Sequence, residues 1–303
     1  MNHRVFIRLA PALVAIAAMV PAALAAGGSQ LETPPLLPDL RQEPPSGLII
    51  TSSGHGWNLG FNSAATNVGA GPLIITGHRQ SHAEQTMAAD QTIMHEGGGR
   101  SVVKDAGRLR YVKSIDHQHW HLLRFERYTL RRVGAKRAAV RDRKTGFCLG
   151  DRYRTRVALA GPSPAMPAFT SNCGPRRPGR LSVSEGISVG YGDDYAANLE
   201  GQYLKLSGLP DGRYVLAHEV NANRRLRESS YDNNAASVLL ALRWRGSKPD
   251  VRVLASCEHA AACTPPGMRA RSAAAPSAVP ARTRRLFCRL GAARRTSRAL
   301  RAG

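Results

Sequence analysis

The chain has 303 residues, with 43 lysines and arginines against 21 acidic residues, for a formal net charge of +22. That length allows one large domain or two small ones, with ample chain for a buried core. The five cysteines (Cys148, Cys173, Cys257, Cys263 and Cys288) have no zinc-ribbon spacing, which argues against a four-cysteine structural zinc site. Their odd number leaves at least one unpaired.

In chain order, Arg4 and Arg8 precede an alanine-rich apolar stretch at 9–24, and Ala23-Leu24-Ala25 is a small-residue cleavage site. Residues 1–25 are therefore predicted to be a secretory signal peptide; the stretch is short and alanine-rich for a single-pass anchor. No later apolar run is long enough to span a membrane, so no transmembrane segment is expected. The mature protein, starting at Ala26, is expected to be secreted into a space where disulfides persist. The expected pairs are Cys148–Cys173 and Cys257–Cys263, with Cys288 left over.

Strand signals follow a Pro-rich lead-in at 34–45. They fall at 47–51, 57–61, 73–76, 110–115, 122–133, 181–189, 203–206, 214–220 and 237–243. Turns are marked by Gly69-Ala70-Gly71-Pro72 and Pro210-Asp211-Gly212. Long amphipathic helical patterns are absent, and 161–179 is a Pro- and Gly-rich loop. The predicted fold is all-β: a β-sandwich of short antiparallel strands with long loops and few short helices, over residues 26–264. From Thr264 onward there are ten arginines and no acidic residue. Residues 265–303 are thus predicted to be a disordered tail. Its charge suits an anionic cell-wall polymer or nucleic acid bound without sequence specificity; a solvated extension with no partner is equally consistent.

The chemistry is concentrated in Asp116-His117-Gln118-His119-Trp120-His121. Residues two apart share a face of a β-strand, so His117, His119 and His121 are predicted to converge on one ion. Imidazole suits copper, zinc, iron and nickel, so the residue type alone names no metal. A histidine row on a solvated strand face is the plain alternative. His119, His121 and Glu126 also satisfy the H-x-H and Glu core of the cupin motif, with a faint second echo in Pro210, Gly212, His218 and Asn221. The flanking glycines are misplaced, however, and Glu126 has the opposite strand parity.

A second set of motifs accounts for more residues. The segment His117-Gln118-His119-Trp120-His121, followed by Phe125 and Tyr128, resembles the copper-binding segment of the lysyl oxidase family. Lys144-Thr145-Gly146-Phe147-Cys148-Leu149-Gly150-Asp151 is similar to the segment around that family's cofactor lysine. Asp193-Asp194-Tyr195, seven residues ahead of Gln202-Tyr203, resembles the segment holding its cofactor tyrosine. Glu228 to Asn234 (E-S-S-Y-D-N-N) resembles its calcium motif, and Leu37-Pro38-Asp39-Leu40 its opening L-P-D-L. The resemblance covers residues 36–243.

The resemblance implies an amine oxidase that acts on peptidyl lysine or another primary amine, with oxygen as acceptor. His117, His119 and His121 would ligate copper. Tyr195 and Lys144 would join as lysine tyrosylquinone, which condenses with the amine; a positioned base then removes the α-proton. Arg127 stands where animal members carry a histidine, so Asp193 is the expected proton acceptor. Asp39, Leu40, Glu228, Ser230, Asn233 and Asn234 would surround calcium, a hard cation that takes oxygen ligands. Ser230 occupies a position where the family motif has aspartate. The alternative is a non-catalytic, wall-associated β-sandwich that keeps a metal without forming the quinone.

Overall fold

The computed structural model describes residues 33–114, 117–141 and 146–264. The expected signal peptide, the arginine tail, Cys288 and Lys144 lie outside these residues. Among the described residues nearly all regular structure is β-strand, with one 3-10 turn at Glu96–Gly98. No helix among them is long and apolar enough to cross a membrane.

The strands form three antiparallel sheets. In the first, Leu73–His78, Thr86–His95, Arg100–Lys113 and Gln118–Leu123 are neighbours in chain order. Ser182–Ile187 closes one edge and Gly146–Phe147 the other. In the second, the order is Val140–Arg141, Glu126–Arg132, Gly212–Val220, Ala235–Arg245 and Lys248–Cys257. The third is centred on Gly56–Asn67, which pairs with Leu40–Gln42, Ser46–Ser53, Tyr191–Tyr195 and Tyr203–Lys205. The inward faces of all three supply one apolar core. Ile75, Met87 and Trp120 come from the first sheet, Tyr128, Leu130 and Leu216 from the second, and Leu59 and Phe61 from the third. The all-β architecture matches the expectation, with several strands longer than expected; Arg100–Lys113 runs for 14 residues.

One expected strand is two. The run at 122–133 breaks at Arg124, whose φ of 62° is left-handed. Gln118–Leu123 ends in the first sheet and Glu126–Arg132 begins in the second. Buried Phe125 fills the corner between them, and its carbonyl accepts the Asn221 N–H at 2.7 Å. The run Leu122, Phe125, Tyr128 stays apolar across the corner, so hydrophobic patterning does not reveal the break.

Both expected disulfides form, Cys148–Cys173 and Cys257–Cys263. The first spans 25 residues, and closing a loop of that size stabilises by about 3 kcal/mol. Urea unfolding of a Cys148→Ser, Cys173→Ser double variant should show a loss near that figure; an unchanged midpoint would contradict it.

Candidate functional site

Strand Gln118–Leu123 pairs with the end of Arg100–Lys113, with His119 opposite Val112 and His121 opposite Arg110. The two-residue period puts both imidazoles on one face and Trp120 on the other. His117 precedes the strand and is turned onto the same face. Its carbonyl accepts the Ser114 N–H at 2.8 Å, and its own N–H donates to Ser114 Oγ at 3.1 Å. One ring nitrogen from each histidine lies within 4.8 Å of the other two. Ring centroids are 4.7 to 5.5 Å apart. His117 and His121 are buried and His119 is half-buried. Burial, with smaller pushes from His117 and the Arg152 guanidinium, lowers the His119 pKa to about 4. At neutral pH that ring is uncharged and keeps the lone pair a metal requires. The donor set therefore fits a copper ion.

The opposite face anchors the strand. Trp120 is buried, its indole N–H donates to the Arg177 carbonyl at 3.2 Å, and Arg79 lies over its ring at 4.8 Å. Glu126, the carboxylate of the cupin pattern, is not with the histidines. It lies past the Arg124 corner, where its carboxylate accepts Ser63 Oγ at 2.7 Å and Tyr128 Oη at 2.5 Å. His218, from the second cupin echo, is buried between Phe61 and Tyr128.

Tyr195 ends strand Tyr191–Tyr195, opposite Ser63. Its hydroxyl accepts the Cys148 N–H at 2.8 Å and donates to the Cys148 carbonyl at 3.1 Å. Its ring meets Phe147 edge-on, with centroids 4.8 Å apart. Gly146 and Phe147 in turn pair with Leu123 and Leu122. A Cβ on Gly146 would fall 2.9 Å from His121 Cβ and 2.8 Å from the Leu122 carbonyl oxygen, so only glycine lets the two backbones approach this closely. One short segment, Gly146 to Cys148, thus joins the imidazole cluster to Tyr195. Lys144, two residues ahead of it, lies outside the described residues.

Asp193 shares the Tyr195 face of the strand and is buried, with Arg152 Nε 3.4 Å from its Oδ1. Burial pushes its carboxyl well above the usual carboxylate range; Arg152 opposes the shift and Glu126 adds to it. Burial also pushes the buried Glu185 carboxyl up, with Asp193 adding to the effect. The Tyr195 phenol is raised by burial first, then by Asp193 and Glu185. Burial thus favours the neutral form of the Asp193 carboxyl beside Tyr195, and the Arg152 guanidinium favours the ionised one.

Sequence reasoning missed Arg152, Glu185 and Glu200. Arg152 acts on both halves of the site, disfavouring charge on His119 and pairing with Asp193. Glu200 Oε2 is 3.7 Å from His117 Nδ1. Arg152 lies in a basic run and gave no local signal.

The expected calcium residues are largely brought together. Glu228 is buried; its Oε2 accepts the Leu40 N–H at 2.7 Å and its Oε1 accepts Asn221 and Asn234 amides at 2.6 and 2.8 Å. Asn233 donates to Asp39 Oδ1 at 2.8 Å. The amide oxygens of Asn233 and Asn234 are buried with no hydrogen-bond donor, as suits ligands for a hard cation. Burial raises the Glu228 carboxyl to about 7 against the pull of these donors. Leu40 engages Glu228 through its N–H. Ser230 Oγ turns back to accept the Asp232 N–H at 3.1 Å.

The sequence model of the lysyl oxidase family matches residues 90–252, more than half of the chain. The chain is similar to protein-lysine 6-oxidase of Rattus norvegicus, 28% identical over 136 residues, which is 43% of this chain and 28% of that protein. The corresponding protein of Homo sapiens is 25% identical over 154 residues, 49% of this chain and 29% of its own length. That of Sus scrofa is 27% identical over 136 residues, 43% of this chain and 45% of its own length. The chain thus spans less than half of each of these curated relatives.

Proposed function

Because the chain belongs to the lysyl oxidase family, we propose that it is a copper-dependent amine oxidase. It would convert peptidyl lysine or other primary amines to aldehydes, with release of ammonia and hydrogen peroxide. His117, His119 and His121 would hold the copper, and Lys144 and Tyr195 would form lysine tyrosylquinone. Copper with oxygen supplies the oxidising equivalents for making the quinone, and the quinone supplies an electrophilic carbonyl and an electron sink.

The observation that carries this reading is the Gly146 to Cys148 link between His121 and Tyr195. The Cys148 backbone fixes the Tyr195 hydroxyl, and the Phe147 ring shields the phenol from water. Lys144 is four residues ahead of Cys148, within about 14 Å even for fully extended chain. Asp193, beside Tyr195, would be the proton acceptor; burial favours its neutral form and the nearby Arg152 guanidinium its ionised one. The two disulfides suit an exported protein and support reading residues 1–25 as a signal peptide.

Protein loaded with copper in air should become coloured and react with phenylhydrazine. Bound copper without that reaction would contradict the oxidase reading and favour a sandwich that only holds the metal.

Calcium at Glu228, Asn233, Asn234 and Asp39 belongs to the same proposal. Calcium at ~100 times its Kd should stabilise the fold by about 2.7 kcal/mol, a rise of several degrees in Tm. The Glu228→Gln variant should show no such rise. Identical melting of the wild type in EGTA and in calcium would remove this site from the proposal.

A further inference from the structure

The outer face of the second sheet carries three arginines around one small residue. Arg213 and Arg252 both stand opposite Ala241, one on each neighbouring strand. Arg243 is two residues further along the strand of Ala241 itself. Cross-strand partners, and residues two apart on one strand, share a face, so the three side chains surround Ala241. The alternate residues Tyr214, Leu240 and Leu242 are buried in the core on the other face. All three arginines are exposed, and they line an open groove of about 730 Å³.

Neither packing nor pairing accounts for this arrangement. Among the described residues none of the three guanidiniums has a hydrogen bond or an ion pair. Two carboxylates share the groove, and both are engaged elsewhere. Asp250, opposite Arg243 in register, is held by Arg245 at 3.2 Å, and Asp211 Oδ1 accepts the Trp244 N–H at 2.9 Å. With Arg245, four arginines face two aspartates, so the groove is positive. Residues 265–303 bring ten arginines and no acidic residue, and so add no negative charge. Like charges gathered on one face repel, and a bound anion relieves that cost.

The guanidinium fork matches phosphate and sulfate oxygens. Arg213 and Arg252 are two strand spacings apart, about 10 Å at the backbone, on an open face. One small ion does not bridge that distance, whereas a chain of anions does, with release of its counterions. We propose that this face binds a linear polymer bearing tetrahedral oxyanions, phosphate or sulfate, with Arg213, Arg243 and Arg252 holding successive groups. The histidine cluster lies in the first sheet, so this binding does not depend on the oxidase reading.

The test measures fluorescence anisotropy of labelled polyphosphate, and separately of labelled dextran sulfate, with the full-length protein. An Arg213→Ala, Arg252→Ala double variant should bind about tenfold more weakly at low salt. Its plot of log K against log salt should be shallower by about 1.4, the counterion release of two lost contacts. Arg243→Ala alone should weaken binding about threefold. A control double variant, Arg100→Ala with Arg137→Ala, removes the same charge from exposed positions elsewhere and should bind as the wild type does. The arginine tail is the same in every protein compared. Weakening with polyphosphate assigns phosphate as the bound group, and weakening with dextran sulfate assigns sulfate; either supports the site. Equal weakening in the two double variants would reduce the effect to net charge and overturn the site. Wild-type binding by the Arg213, Arg252 variant in both arms would overturn it as well.

Discussion

His121→Ala is expected to lose copper affinity by at least ~100-fold, the upper end of what even a supporting group costs a metal site. The variant should stay colourless in air with copper and should not react with phenylhydrazine. His121 is the most telling of the three histidines proposed to hold copper. It is buried, it lies on the ordered strand Gln118–Leu123, and Gly146 packs directly against it. Removing it would take away one proposed ligand and open space where the Tyr195 segment meets the cluster. The fold should survive, because the strand is anchored from its other face by Trp120 and Leu122. Equilibrium dialysis with copper, alongside circular dichroism, checks both statements. Retention of one tightly bound copper per chain would show that the three imidazoles are not the metal site.

Tyr195→Phe should separate structure from chemistry. The phenyl ring keeps its edge-on contact with Phe147, so the apolar packing is preserved. The lost hydroxyl leaves the Cys148 N–H and C=O without this partner in a buried place, at a cost of about 1–3 kcal/mol. Copper binding should persist, because no histidine is touched. Turnover of n-butylamine should fall at least ~1000-fold, to the uncatalysed background, since the side chain to be oxidised is gone. Activity within tenfold of wild type would exclude Tyr195 as the quinone precursor.

The histidine cluster was legible because a period of two is written directly in 117, 119 and 121, and strand geometry converts that spacing into one face. Its neighbours were not. Arg124 turns the chain into a second sheet through a left-handed backbone that non-glycine residues seldom adopt, and nothing in its side chain announces this. Glu126 is thereby carried away from the histidines to Ser63 and Tyr128. Strands Thr86–His95 and Lys248–Cys257 escaped detection. The second has a mostly exposed, charge-bearing pattern, as suits the edge it forms. The burial of Glu185 and Asp193 was equally hidden, since acidic residues are surface residues by default and only the tertiary fold encloses them. Arg152 belongs to the same class. The pairing of Tyr195 with Cys148 spans 47 residues, and local patterning carries no information at that range.

The proposed copper site would serve to join Lys144 to Tyr195. The direct measurement is peptide mass spectrometry of the protein after copper loading in air, against a copper-free control. A single cross-linked species containing both Lys144 and Tyr195, present only with copper, is the predicted result. Recovery of the two residues in separate, unmodified peptides from fully copper-loaded protein would show that this chain does not form the quinone.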